Sequence, residues 1–339
     1  MNGISDYSLW WVVNAGLHLR YFGDAPFARL EQERLNAFVE DLARHAGHDG
    51  VFRPPSQRGG FVDSGPGSVF IDWGLALEHG RDSVALQMLW YWALCSAERV
   101  LARTGHPGAP RWGALASRLE ATLRERAWLP RDGRWADYLD ARQSKRPATY
   151  ANFLAVMAGM HEQVPPGVRD AVLAGTSGTP FMTAFRLRAL IDAGEPGAAV
   201  DEVRRTWGAM LDGGPGTFWE ESSIEGDPLE MYGRPFGRSR CHAWAAGPAA
   251  ILPEAVLGLR PIDDGWSRFT VRPELGDLEW AAAVVPAPTG DIVVVADGRR
   301  VTVQVPSGAV LVRDGQSVPG PSVVEWTPRS REPVAEYGG

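Results

Sequence analysis

The segment "LGLRP", Leu257 to Pro261, marks the point at which the hydrophobic pattern of the chain changes. Before it, apolar residues recur at the i, i+3, i+4, i+7 spacing of amphipathic helices. After it, short β-branched runs such as "GDIVVVADGRRVTVQVP" alternate with Asp-Gly, Pro and Gly turn signals. This change predicts a large helical domain over residues 1–258, a small antiparallel β-sandwich over 259–328 and a tail over 329–339.

The helical part contains well-defined start and stop signals. In "DSVALQMLWYWALCSAERVLARTG" one face is apolar and Gly105 supplies the stop, while Asp24 and Pro26 predict the start of an earlier helix. A further apolar face includes Val203 and Trp207. Additional helices are predicted at about 7–22, 111–127, 147–161, 180–194 and 239–257.

Composition excludes several classes of protein. The 339 residues carry a net charge of −7 without a Lys/Arg run, which argues against nucleic-acid and anionic-membrane partners. The two cysteines, Cys95 and Cys241, form neither a disulfide framework nor a zinc motif, and we expect no metal and no cofactor. The N-terminus lacks the pattern of a signal peptide, so we expect a cytoplasmic protein, although a chain lacking its true start would hide an export signal.

The stretch "GTFWEESSIEGDPLEMYG", Gly216 to Gly233, crowds carboxylates between Trp219 and Tyr232. Three interpretations compete: a solvated acidic loop, a cation site, or the rim of a pocket in which a carboxylate does acid or base chemistry. The EF-hand pattern is not met, because Ser222, Ser223 and Ile224 interrupt the acids.

A series of motifs resembles one family when the motifs are taken in order. These are "SDYSLWWVVNAGLHLRYFGD", "FIDWG", "YANFLAVMAGM", "RRTWGAMLDGGPGTFWEE", "SRCHAWAAGPAAILPEAVLGLRP" and "VVPAPTGDIVV". Together they resemble the C-terminal part of the bacterial α-L-rhamnosidases, glycoside hydrolase family 78. The resemblance covers nearly the whole chain.

The resemblance implies an (α/α)6 toroid followed by a β-sandwich, and inverting hydrolysis of terminal α-L-rhamnosides. It also implies that Glu220 is the general base and that His242 lies in the sugar pocket. An inverting glycosidase needs a second carboxylate as proton donor. In the family this donor precedes the counterpart of "SDYSLWWVV". We therefore expect the first helices of the toroid and the general acid to be missing from this chain.

Other residues are candidates for substrate binding. Trp73 offers an indole face to a pyranose, and Asp72 can accept hydroxyl protons. Of the adjacent Trp10 and Trp11 we expect one to pack in the core and the other to face the barrel mouth, and Trp11 is the candidate for the mouth. Asp6 is expected to cap their helix. Trp219 and Glu225 join this set of candidates because they border Glu220 or the acidic loop. Each residue also has an ordinary structural reading, as a core tryptophan, a satisfied histidine or a solvated acid.

Three functions remain open. The first is an α-L-rhamnosidase whose activity as this chain alone is doubtful, and the second is a non-catalytic or truncated sugar-binding relative. The third is a toroid glycosidase acting on another sugar. The expected partner is a carbohydrate, with self-association through exposed helical faces as a further possibility.

Overall fold

The computed structural model describes residues 4–54, 68–73, 75–78, 80–141, 148–221, 230 and 234–328. Residues up to Leu19 and from Asp24 to Ile251 form a first compact unit. Residues Arg20–Gly23 and those from Leu252 onward form a second unit. The predicted tail over 329–339 lies outside the described residues.

The first unit is helical, as the sequence predicts. The helices in the described part of the chain are α1 Ser5–Phe22, α2 Ala25–Ala43, α3 Val84–Thr104, α4 Ala109–Arg126, α5 Thr149–Met157, α6 Pro166–Ala174, α7 Pro180–Asp192, α8 Pro196–Asp212 and α9 Pro248–Leu257. Their core includes the fully buried Trp90, Trp112 and Trp207. Aromatic side chains bury about 150–250 Å² each, so these tryptophans contribute a large part of the core.

Local signals set the ends of two helices. The Asp24 side chain accepts from the Phe27 N–H and caps α2, as predicted. Gly105 ends α3 at φ 78°, a left-handed conformation that glycine adopts without steric cost.

One predicted helix of the helical unit was wrong in its first part, and two short elements were not predicted. The predicted helix over 239–257 begins only at Pro248, because residues 239–242 bond to residues 217–220 and Ala243–Ala245 form a short 3-10 helix. A hairpin of β1 (Trp128–Leu129) and β2 (Arg134–Trp135), and the short helix α6, were not predicted. Both are too short for periodicity to reveal them.

The second unit is built of two four-stranded sheets. The strands are β3 Arg260–Pro261, β4 Arg268–Thr270, β5 Trp280–Ala287, β6 Gly290–Asp297, β7 Val301–Val305, β8 Val310–Arg313, β9 Gln316–Pro319 and β10 Ser322–Trp326. The sheet orders are β10-β7-β6-β5 and β3-β4-β8-β9. The first sheet is wholly antiparallel, whereas β4 and β8 of the second pair in parallel.

Side-chain alternation gives each sheet one buried face. In β6 and β7 the alternate residues Val294, Ala296, Val301 and Val303 are fully buried, and Phe269 and Leu311 are buried on the other sheet. The period-of-two pattern of the sequence therefore corresponds to an apolar core within the β unit.

Candidate active site

Glu220 and His242 lie on two loop segments that are joined by backbone hydrogen bonds. The Glu220 N–H donates to the Ser239 carbonyl at 2.9 Å, and the His242 N–H donates to the Phe218 carbonyl at 2.9 Å. The Thr217 hydroxyl adds a bond to the Arg240 carbonyl. This pairing replaces the predicted helix and brings together two side chains that are distant in sequence.

The side chains of the pair approach each other at the surface of the helical unit. Oε2 of Glu220 lies 3.7 Å from Nδ1 of His242. The Glu220 side chain is 17% exposed, so it is partly shielded from solvent but still reachable. Since 3.7 Å exceeds hydrogen-bond range, the carboxylate oxygen is not engaged by a direct bond to the imidazole.

Aromatic rings support the histidine from one side. The rings of His242 and Trp244 are 4.7 Å apart, and the Trp244 indole N–H donates to the Glu220 carbonyl at 3.2 Å. Trp244 stacks on Phe181, at the start of α7, with an interplanar angle of 17°. Trp244 therefore fixes both members of the Glu220–His242 pair.

Trp219 is buried behind this pair. Its exposed fraction is 1%, and the Arg240 guanidinium lies 4.3 Å from its ring centroid. This burial argues against the expected contact between the Trp219 ring and a sugar. The buried Trp219 ring instead anchors the segment that carries Glu220 to the core.

The neighbouring acid has a different partner. Oε2 of Glu221 lies 3.3 Å from Nη2 of Arg238, whose side chain is buried. Glu221 is thus paired with Arg238, whereas Glu220 approaches His242. Glu225, another candidate, lies outside the described residues, as does most of the acidic stretch.

Asp72 is a buried junction between elements. Its Oδ2 accepts from the Tyr150 hydroxyl at 2.6 Å and from the Gly178 N–H at 2.9 Å, and its Oδ1 accepts from the Trp73 N–H. The residue is 2% exposed. This use of both oxygens argues for a positioning role for Asp72 instead of the expected direct contact with a hydroxyl.

The loop that carries Asp72 is held by Asp6. The two oxygens of Asp6 accept from the N–H groups of Phe70 and Ile71, so Asp6 fastens this loop to α1 instead of acting as the expected helix cap. Burial raises the pKa of Asp6, while these backbone bonds act in the opposite direction. Ile71 adopts φ 61°, a strained conformation for a β-branched residue, directly before Asp72.

Trp73 and Trp11 are both accessible on the described surface. Trp73 is 40% exposed, and its ring packs edge-on against Phe70 at 4.8 Å. Trp11 is exposed on α1 and packs against Phe38. That these two tryptophans bind a substrate stays a prediction.

Sequence reasoning missed four residues of this region. They are Tyr7, Tyr150, Phe181 and Trp244. Three of them lie inside quoted motifs, in "SDYSLWW", "YANF" and "CHAW". The motifs contained the signal, but only the structure shows that these rings lie near Asp72 or Glu220.

The described residues offer neither a metal-binding cluster nor a membrane-spanning helix. They contain no group of three or more side chains arranged to hold a metal ion. No helix among them is long and apolar enough to cross a membrane.

Comparison with known proteins is informative for both units. Residues 258–311 match the family model of the bacterial α-L-rhamnosidase C-terminal domain. No curated protein sequence matches the chain.

Solved structures extend the similarity over most of the chain. It covers 86% of this chain and 30% of the GH78 family rhamnosidase of Bacillus sp. GL1, with 23% identity and a TM-score of 0.71. The similarity also covers 86% of this chain and 28% of the Streptomyces avermitilis α-L-rhamnosidase complexed with L-rhamnose, with 19% identity and a TM-score of 0.65. It covers 74% of this chain and 46% of the Klebsiella oxytoca rhamnosidase with rhamnose bound, with 24% identity and a TM-score of 0.59.

The chain thus spans less than half the length of each of these three proteins. At these identities the structural match establishes a shared fold. The helices and the β domain of this chain match parts of rhamnosidases that consist of a helical toroid and β domains. The resemblance noted in the sequence is confirmed: the chain is similar in fold to GH78 α-L-rhamnosidases, and its β unit matches their C-terminal domain model.

Proposed function

We propose that this chain carries the general-base side of an inverting α-L-rhamnosidase, with Glu220 as the base. The observation that carries the proposal is the approach of Glu220 to His242 at 3.7 Å on two hydrogen-bonded loop segments. The shared fold and the sequence resemblance support the choice of reaction class.

The chemistry asks two things of Glu220. It must accept a proton from the water that attacks the anomeric carbon, and it must face the side of the sugar opposite the leaving oxygen. A carboxylate that is 17% exposed and not hydrogen-bonded to His242 keeps an oxygen available for that water. His242 then serves as a polar contact for a sugar hydroxyl beside the base.

We propose none of the carboxylates described near Glu220 as the proton donor. An inverting pair places its two carboxyl groups about 6.5–9.5 Å apart. Asp6 and Asp72 lie in this region, but both are buried and their oxygens accept hydrogen bonds from the protein. Glu221 is paired with Arg238. None of these three is free to donate a proton to a leaving group.

The proposed ligand is a neutral sugar. Trp73 and Trp11 offer exposed rings to the apolar face of a neutral sugar, and His242 offers a polar contact. The two relatives whose structures contain rhamnose support a rhamnoside as the ligand.

A second function is favoured because the carboxylate oxygens of Asp6 and Asp72 already accept hydrogen bonds from the protein. If no carboxyl group completes the pair, the same surface binds a terminal sugar without turnover. This alternative keeps the carbohydrate ligand and removes the catalysis.

An activated aryl α-L-rhamnoside distinguishes the two, because its leaving group needs little protonation. General-acid assistance is commonly worth about 10²–10⁴-fold, so natural rhamnosides are expected to react far more slowly. We expect Glu220→Gln to abolish turnover of the aryl substrate, whereas Glu221→Gln serves as the matched control and retains it. Turnover that survives Glu220→Gln contradicts the assignment, and rhamnose binding without any turnover supports the second function.

Self-association is proposed through the exposed apolar side chains of α2. Phe27 and Leu30 lie three residues apart on this helix, and both are exposed. Clustered apolar surface favours association. Sedimentation velocity is expected to show concentration-dependent association that Leu30→Glu reduces, and a monomer at all concentrations contradicts it.

A further inference from the structure

The first turn of α1 presents a tyrosine that sequence reasoning did not single out. Tyr7 is 42% exposed, although its neighbours Asp6 and Ser8 are buried. The turn is held in place by the Ser5 N–H, which donates to the Ser68 carbonyl at 2.7 Å, and by the bonds of Asp6 to the loop of Asp72. The phenol therefore extends from a fixed backbone.

On one side Tyr7 contacts the loop that carries Trp73. Its ring lies edge-on to Phe70, with centroids 6.3 Å apart and an interplanar angle of 84°. Phe70 in turn packs edge-on against the exposed Trp73. Tyr7, Phe70 and Trp73 thus form a continuous aromatic wall beside Asp72.

The same helix is also connected to the Glu220–His242 pair through a series of aromatic contacts. Trp10, one turn after Tyr7 on α1, contacts Phe181 at 5.5 Å, and Phe181 stacks on Trp244. Trp244 contacts His242 and donates to the Glu220 carbonyl. The start of α1 therefore lies between the Trp73 loop and the segment of the proposed base.

The electrostatics of Tyr7 agree with this placement. Partial burial and the negative charges of Asp6, Asp72 and Glu220 raise the pKa of the Tyr7 phenol. All three carboxylates are thus within electrostatic range of one side chain. The phenol stays protonated at neutral pH and keeps its O–H as a hydrogen-bond donor.

We propose that Tyr7 is a substrate-binding residue of this site, donating its hydroxyl to a sugar hydroxyl next to Glu220 and extending the Phe70–Trp73 wall. The ligand class is a neutral pyranose, because an aromatic ring packs on the C–H face of a sugar while a protonated phenol donates to its hydroxyls. This inference rests on the proposed function, since it needs a sugar beside Glu220.

The test is titration calorimetry of the full chain with L-rhamnose. Tyr7→Phe removes only the hydroxyl, and we expect about 3- to 10-fold weaker binding, the usual effect of one neutral hydrogen bond. Tyr7→Ala also removes the ring and should weaken binding more than Tyr7→Phe. Tyr21→Phe is the matched control: it removes the same group from the same helix, where the hydroxyl donates to Glu254, and should bind like the unmodified chain.

Thermal unfolding separates binding from structure. Tyr7→Phe should unfold at the same temperature as the unmodified chain, so that a loss of affinity reports on the ligand contact. Unchanged affinity in both Tyr7 variants overturns the inference but leaves the proposed function standing. A loss of affinity that occurs only together with a loss of thermal stability also overturns it. Absence of rhamnose binding by the unmodified chain overturns both proposals.

Discussion

Oε2 of Glu220 and Nδ1 of His242 lie 3.7 Å apart because the backbone of one segment is hydrogen-bonded to the backbone of the other. The pair thus depends on the hydrogen bonds between residues 217–220 and residues 239–242, and the Trp244 indole N–H donates to the Glu220 carbonyl beside them. At this distance the two groups can share a third polar group, such as a water or a sugar hydroxyl, between them.

The first prediction concerns His242. We expect His242→Phe to keep the ring packing against Trp244 but to remove the polar atom next to Glu220. Loss of one polar contact to a ligand should weaken L-rhamnose binding about 3- to 10-fold, as measured by calorimetry. Because His242 is partly exposed, stability should change by less than about 1 kcal/mol. Unaltered affinity argues against a role in the sugar pocket.

The second prediction concerns the buried Tyr150–Asp72 bond. Burial and the charge of Asp72 raise the pKa of Tyr150, so its phenol remains a neutral donor. Tyr150→Phe removes the 2.6 Å bond and leaves a buried carboxylate with one donor fewer, which should cost about 1–3 kcal/mol. Urea unfolding measures the loss. Tyr21→Phe, the control at a partly buried bond, should lose less, and equal losses contradict the junction role of Asp72.

Helical periodicity carried much of the fold prediction. The caps at Asp24 and Gly105 and the change of period near Leu257–Pro261 are local features, so the sequence alone reveals them. The predicted helix over 239–257 was wrong in its first part because long-range pairing with residues 217–220 overrides local helix propensity.

The candidate site was predictable only in pieces. The family resemblance singled out Glu220 and His242, and the structure brings these two together. Burial of Trp219 and Asp72 depends on Arg240, Tyr150 and Gly178, which are distant in sequence, so no local pattern reports it. Exposure of Tyr7 beside a buried Asp6 is likewise a tertiary property.

The third prediction concerns a buried ion pair between α7 and α8. The Arg186 guanidinium is buried and pairs with Glu202, and it also donates to the Val172 carbonyl. Glu202→Ala leaves this buried charge without its carboxylate and should destabilise the chain by about 3–5 kcal/mol in urea unfolding. Asp201→Ala, which breaks the exposed neighbouring pair with Arg204, should cost less than about 1 kcal/mol.

A double replacement refines this prediction. Arg186→Met combined with Glu202→Leu removes both charges, and an apolar pair of similar volume is often as stable as a buried ion pair. We therefore expect the double variant to regain most of the loss. A double variant as unstable as Glu202→Ala would show that packing at α7 and α8, not the unpaired charge, causes the effect.

The last prediction concerns acid stability through His161. Its Nε2 accepts from the Trp135 indole N–H at 2.9 Å. Burial, helped by the charge of Arg124, lowers the pKa of His161 from 6.5 to about 4. The unfolded chain therefore binds this proton near pH 6.5, whereas the folded chain binds it only near pH 4. Because the unfolded state holds more protons in that window, the stability due to neutral His161 is complete above pH 6.5 and is lost as the pH falls toward 4.

Replacement by glutamine isolates this contribution. In His161→Gln the amide oxygen can still accept from Trp135, but the side chain no longer titrates. The urea midpoint of the unmodified chain should fall more steeply between pH 7 and pH 4.5 than that of His161→Gln. The difference should be about 1–2 kcal/mol, because partial solvent access to the imidazole reduces the full effect of the pKa change. Parallel pH profiles for the two proteins would mean that His161 is already protonated in the folded state near pH 6, and that the bond to Trp135 does not hold it neutral.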